Sequence, residues 1–162
     1  MILKDINIIL KLVVVINGKN IMANFDKEFD KLILAEGGYV NDKDDAGGET
    51  YLGISRKNNP KWIGWEVIDE EKKKGLKNIT ARLKKDKALT NSAKFLYKQN
   101  YWDIFELDDI PSQKIAHEMF DTAVNCGPKT AINIAQQICT MTVTGKWSDE
   151  LKYNLMQYGK QV

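Results

Sequence analysis

A chain of 162 residues is long enough for one compact domain, or for two small lobes sharing an interface. Its 43% apolar content and four tryptophans exclude a disordered tail. The formal charge of +2 gives no case for nucleic acid, because Lys4, Lys11 and Lys19 against Asp5 supply it alone, leaving 21 of the 24 basic and 21 of the 22 acidic residues from Met22 onward.

Within residues 1–21, the apolar run from Ile6 to Ile16 is broken by Asn7 and Lys11 and is too short to span a bilayer, so no stable membrane insertion is expected. No small-residue cleavage pattern precedes Met22. The segment reads as a leader or a misassigned start, with an export or membrane-association signal and a structural element as the alternatives.

From Met22 the pattern is helical. Asn24 or Asp26 can cap a helix carrying Phe25, Phe29, Leu32, Ile33 and Glu36 along one side, and Gly37-Gly38 ends it. Residues 39–55 read as an exposed hairpin or ordered loop, too rich in glycine and aspartate for a core strand. Pro60 then opens a helix with Trp62, Ile63, Trp65 and Val67, closed at Gly75. Charge dominates from Lys72 to Lys87, which predicts a solvated connection.

Thr90 or Asn91 opens a helix through Ala93, Phe95, Leu96 and Tyr97 towards Tyr101-Trp102. Pro111 begins another, with Ile115, Ala116, Met119, Phe120, Ala123 and Val124 facing a core, and Gly127 ends it. Pro128 restarts the chain into 131–141, and Ser148 caps a last short helix with Leu151, Leu155 and Met156. The fold class predicted is mainly α with a small hairpin or ordered loop carrying the site. Cys126 and Cys139 are too few for a disulfide framework and read as buried free thiols.

The chemistry concentrates between Glu36 and Ile54. A glutamate at a helix end faces acidic, glycine-rich backbone in which Asp45 follows nine residues later, then Thr50, then Gly53-Ile54. A hairpin of that length can fold back so that Asp45 and Thr50 face Glu36, and paired glycines let a sugar chain approach the backbone. Glycosidases need two carboxyl groups, one to protonate the leaving oxygen and one to handle water or the sugar cation. Other chemistries fit worse. Asp42, Asp44 and Gly47 hint at a calcium loop, but Ala46 and Gly53 occupy positions that should carry oxygen ligands. His117-Glu118 begins a zinc-like motif in which Asp121 replaces the second histidine. No cofactor or metal is expected.

The run from Glu36 to Ile54 resembles the signature of glycoside hydrolase family 108, the predicted lysozyme-like N-acetylmuramidases of phages and bacterial secretion loci. The resemblance continues through Tyr97-Lys98-x-x-Tyr101-Trp102-Asp103 and through Phe120-Asp121-x-Ala123-Val124-Asn125-x-Gly127-Pro128, over about residues 24–158. It implies a lysozyme-like catalytic region over 22–105, after the leader or misassigned start of 1–21, and a helical region of peptidoglycan-binding type over 106–162, shorter than in the relatives. Lys43 and Ala46 stand where the family usually has prolines, and Tyr51 where asparagine is common.

By position, the resemblance makes Glu36 the catalytic glutamate, Asp45 the acidic residue before the second glycine pair, and Thr50 the threonine after it. The implied activity is cleavage of peptidoglycan glycan strands at the wall or in the periplasm, after release by a holin or a secretion machine. Glu49 is the spare carboxylate. Tyr39, Tyr101 and Trp102 could line a sugar groove; Tyr101 and Trp102 read equally well as core anchors. Asn125 could bind an acetamido group or, at i,i+4 from Asp121, belong to a structural network. The rival reading is a module that binds peptidoglycan without cleaving it.

Overall fold

The computed structural model describes residues 22–35, 37–41 and 48–158. They fall into two compact units: Phe25–Asp103, and residues 22–24 together with 104–158. The fold is mainly α with a small antiparallel sheet, the lysozyme-like class that the sequence predicts. Among the described residues no helix is long and apolar enough to cross a membrane. The segment 1–21 lies outside the described residues.

In the first unit, helix α1 (Phe25–Ala35) buries Phe25 and Phe29, one turn apart and with ring centroids 5.8 Å from each other. Their partners lie on α4 (Lys87–Tyr101) and just beyond it: Phe29 meets Tyr97 at 6.1 Å and Phe25 meets Trp102 edge-on at 5.4 Å. Helix α4 starts earlier than Thr90, because the Asp86 carboxylate accepts from the Leu89 amide at 2.9 Å and caps it. Leu89, Ala93 and Tyr97 recur every four residues and form the buried stripe. Phe95 falls two residues off that stripe and is exposed instead of facing the core.

Between these helices the chain departs further from expectation. Pro60 does not open a helix; residues 59–63 make turns, the Trp65 indole donates to the Asn59 carbonyl at 2.7 Å, and α2 runs Gly64–Lys73. Trp62 and Trp65 are buried and perpendicular, with centroids 5.1 Å apart, while Ile63 is exposed. The charged stretch 72–87 contains a short helix, α3 (Ile79–Leu83), whose terminal Ile79 and Leu83 are both buried. Arg82 ties it down, its Nε 2.8 Å from Glu71 and its guanidinium donating to the carbonyls of Gly75 and Lys77. A stretch that reads as a solvated connection is thus a packed element.

In the second unit, Ala23 donates its amide to the Ile110 carbonyl at 2.9 Å, and Asn24 exchanges hydrogen bonds with the Gln113 side chain. Helix α5 (Gln113–Cys126) is capped by Ser112 and buries Ala116, Met119, Phe120 and Ala123. Ile115 and Val124, expected on that face, are half-buried. Pro128 opens α6 (Pro128–Ile138) and Ser148 caps α7 (Asp149–Tyr158), both as the sequence predicts. Gln136 is buried, and its amide oxygen accepts from the amides of Thr144 and Gly145 at 2.9 and 3.0 Å, holding the turn before α7. Cys126 and Cys139 are free thiols, as expected, but Cys126 is exposed and Cys139 half-buried, each at the C-terminal end of its helix. Burial nonetheless pushes the Cys139 thiol up.

Candidate active site

The polar stretch after α1 forms a three-stranded antiparallel sheet, β1 (Tyr39–Asn41), β2 (Glu49–Tyr51) and β3 (Ile54–Ser55). Tyr39 pairs with Tyr51, Val40 with Thr50 and Asn41 with Glu49; Thr50 pairs in turn with Ser55. Alternation along the strands therefore sorts the side chains onto two faces. Tyr39, Asn41, Glu49, Tyr51 and Ile54 share one. Val40, Thr50 and Ser55 share the other. Far from being an exposed loop throughout, the segment places Tyr51, Leu52 and Ile54 in the core.

Two backbone features fix the sheet. Gly38 has φ +105°, and a Cβ there would sit 2.4 Å from Thr80 Cγ2 on α3, so no larger residue fits without a shift. Its carbonyl accepts from the Leu52 amide at 3.0 Å. The turn from β2 to β3 has both central residues left-handed, Leu52 at φ 47° and Gly53 at φ 76°, as a two-residue hairpin of type I′ requires. Leucine is unusual there. Its side chain is buried and its carbonyl accepts from Tyr97 Oη at 2.7 Å, which holds the strained conformation.

The Tyr39 face carries a network of charge. Glu49, with its side chain 12% exposed, accepts from Tyr39 Oη at 2.7 Å and from Lys72 Nζ at 2.8 Å. Arg56 Nε lies 2.7 Å from the second Glu49 oxygen, with its N–H poorly aligned for a hydrogen bond. Arg56 also grips Asp69 with two bonds of 3.0 and 2.7 Å and lies over the Trp65 ring at 4.6 Å. Desolvation, then the bond to Glu49, pushes the Tyr39 hydroxyl above its ordinary value. The bond to Asp69 raises Arg56, that to Glu49 raises Lys72, and that from Arg56 holds Asp69 below the usual carboxylate range.

Of the residues singled out from the sequence, Glu36 and Asp45 lie outside the described residues, as do Asp42, Lys43, Asp44, Ala46 and Gly47. Thr50 is half-buried on the sheet face opposite the charge network. Tyr39 is half-buried on the other face, its hydroxyl engaged by Glu49. Tyr101 ends α4, half-buried beside Tyr97 at 5.7 Å. Trp102 is 0% exposed and offers no ring face to a sugar, so of its two readings the structure gives the core anchor. Asn125 is exposed on α5 in the second unit, and its amide donates to the Asp121 carbonyl at 2.9 Å, within its own helix. Among the described residues no group of three His, Cys, Asp or Glu side chains could hold a metal ion.

Asp69 and Lys72 share α2 at i,i+3, but nothing in the sequence joins them to Arg56, which follows β3. The short sheet packed beside a helical core is the frame of a lysozyme-like fold. Residues 29–127 match the profile of the family Glycosyl hydrolase 108, and the chain belongs to that family. Membership supports a glycoside hydrolase with peptidoglycan as its substrate. The solved structure of SagA from Brucella abortus has a similar fold, with a TM-score of 0.56 and 22% identity over 82% of this chain and 68% of that one. No curated protein matches the chain.

Proposed function

We propose that this glycosidase is an N-acetylmuramidase that cuts the β-1,4 bond between N-acetylmuramic acid and N-acetylglucosamine. Glu36 is the general acid and protonates the bridging oxygen. That role requires a carboxyl group that stays protonated near neutral pH. Asp45, helped by the Thr50 hydroxyl, directs water to the opposite face of the sugar, which gives inversion if the two carboxyl groups stand about 6.5–9.5 Å apart. The protein acts at the cell wall or in the periplasm after its release.

The observation that carries this reading is the sorting of the sheet. Thr50 sits on a half-exposed face free of the Lys72–Arg56 charges, at the end of the connection that contains Asp45. Glu49, on the other face, is engaged by Tyr39 and Lys72, with Arg56 beside it.

Mass spectrometry of the fragments released from purified peptidoglycan tests the bond assignment. Reducing-end N-acetylmuramic acid is expected. Reducing-end N-acetylglucosamine would move the cut to the other glycosidic bond, and intact strands bound by a folded protein would make the chain a binding module.

A further inference from the structure

A three-residue pairing is a weak determinant of register, and a slip of one residue would exchange the faces of every side chain on the slipped strand. Strand β2 is anchored by Tyr51, which is fully buried. Strand β1 has no such anchor. Val40 and Asn41 are exposed, and Tyr39 is half-buried. The Tyr39 carbonyl accepts from the Thr80 hydroxyl on α3 at 3.3 Å, and the side-chain tie of β1 to the rest of this face is the Tyr39 hydroxyl, 2.7 Å from Glu49 Oε1. The same carboxylate reaches α2 through Lys72 at 2.8 Å, and the Arg56 beside it reaches α2 again through Asp69. The backbone closes the arrangement, since the Arg56 amide donates to the Glu49 carbonyl at 2.9 Å.

We infer that Glu49 is a positioning residue: it locks β1 against β2 and ties the pair to α2, so that Thr50 is presented on the opposite face. This inference rests on the glycosidase reading for its consequence, though not for its structural content. Glu49 takes no part in the chemistry. It fixes the strand on which Thr50 stands, and a displacement of about 1 Å at such a position can cost about a hundredfold in rate.

Two readouts on the full chain separate the lock from a general role in stability. In Glu49→Ala, hydrogen exchange at the amides of residues 39–41 should speed at least about tenfold, with the amides of α5–α7 unchanged. On soluble peptidoglycan, kcat per folded molecule should fall about tenfold or more with KM changed less than about threefold. Glu49→Gln, which keeps an acceptor for Tyr39, should lie between. Unchanged exchange at 39–41 in a folded Glu49→Ala protein would overturn the inference, as would a kcat loss that merely tracks the unfolded fraction. If Glu49→Ala does not fold, Tyr39→Phe and Lys72→Met each remove one arm, and unchanged exchange in both would be equally fatal. Should the native protein release no fragments, the glycosidase reading fails while the exchange result still decides the lock.

Discussion

Tyr97 and Leu52 lie 45 residues apart in sequence and are joined by a buried hydrogen bond of 2.7 Å from the tyrosine hydroxyl to the leucine carbonyl. Leu52 is held at φ 47°, a conformation that costs a side chain with a Cβ about 1–2 kcal/mol. The hairpin that presents Thr50 therefore depends on a helix far away in the chain. Sequence, packing and site meet in this one contact.

Removing the hydroxyl should expose that dependence. Tyr97→Phe leaves the Leu52 carbonyl buried with one partner fewer, and a loss of about 1–2 kcal/mol is expected. Urea unfolding followed by tryptophan fluorescence measures it. A variant as stable as the native protein would show that the turn holds itself.

Leu52→Gly sets two effects against each other. Glycine relieves the left-handed strain, worth about 1–2 kcal/mol. It also deletes a side chain with almost no exposed surface, and truncating a buried leucine costs about 2–5 kcal/mol. The cavity wins, so the variant should be less stable. A gain in stability would mean that the strain had been underestimated.

Gly38→Ala should destabilise by about 2 kcal/mol or more, through the 2.4 Å approach to Thr80 Cγ2 and through φ +105°. Thr80→Ser removes the clashing methyl and keeps the hydroxyl, which donates to the Tyr39 carbonyl at 3.3 Å. The double variant should recover the steric part and leave the conformational part. Thermal melts of the three proteins separate the two.

The ion network predicts how stability follows pH. The folded state lowers the Asp69 pKa, chiefly through Arg56, so this contribution is present above the ordinary value of 3.8 and is lost as pH falls through the lowered one. Tyr39 and Lys72 are raised above 10.0 and 10.5, so theirs is present below those values and lost as pH rises through the raised ones. Melting temperature should therefore sag at both ends. In Asp69→Asn the acid limb should flatten while the alkaline limb persists; parallel profiles would contradict the assignment.

Thr50→Val keeps the β-branched shape that suits a strand and removes only the hydroxyl. If Thr50 helps hold the attacking water, kcat should fall about ten- to a hundredfold, with the melting temperature nearly unchanged. Activity within twofold of native would confine Thr50 to the sheet.

Much of the helical frame was legible because its signals are local. Ser148, Pro128 and Gly127 mark helix ends through their own backbone preferences, and Phe25 and Phe29 declare a buried side by spacing alone. Helix α3 was hidden because only Ile79 and Leu83 are buried in a stretch crowded with lysines. The hairpin is legible but its burial is not, because aspartate and glycine outweigh Tyr51, Leu52 and Ile54 in composition, although those three reach the core. The roles of Glu36 and Asp45 rest on family resemblance, since spacing alone does not distinguish them from an ordinary helix end and loop. The partners of Glu49 come from residues 39, 56 and 72, and nothing in a linear pattern brings those together.

The most direct test of the account compares the native chain with Glu36→Gln on purified peptidoglycan, following fragment release, with a wall pull-down as the control for binding. The account predicts release by the native protein, a loss of at least about a thousandfold in the variant, and equal retention of both on the wall. Equal release by the two proteins would remove Glu36 from the mechanism and contradict the account at its centre.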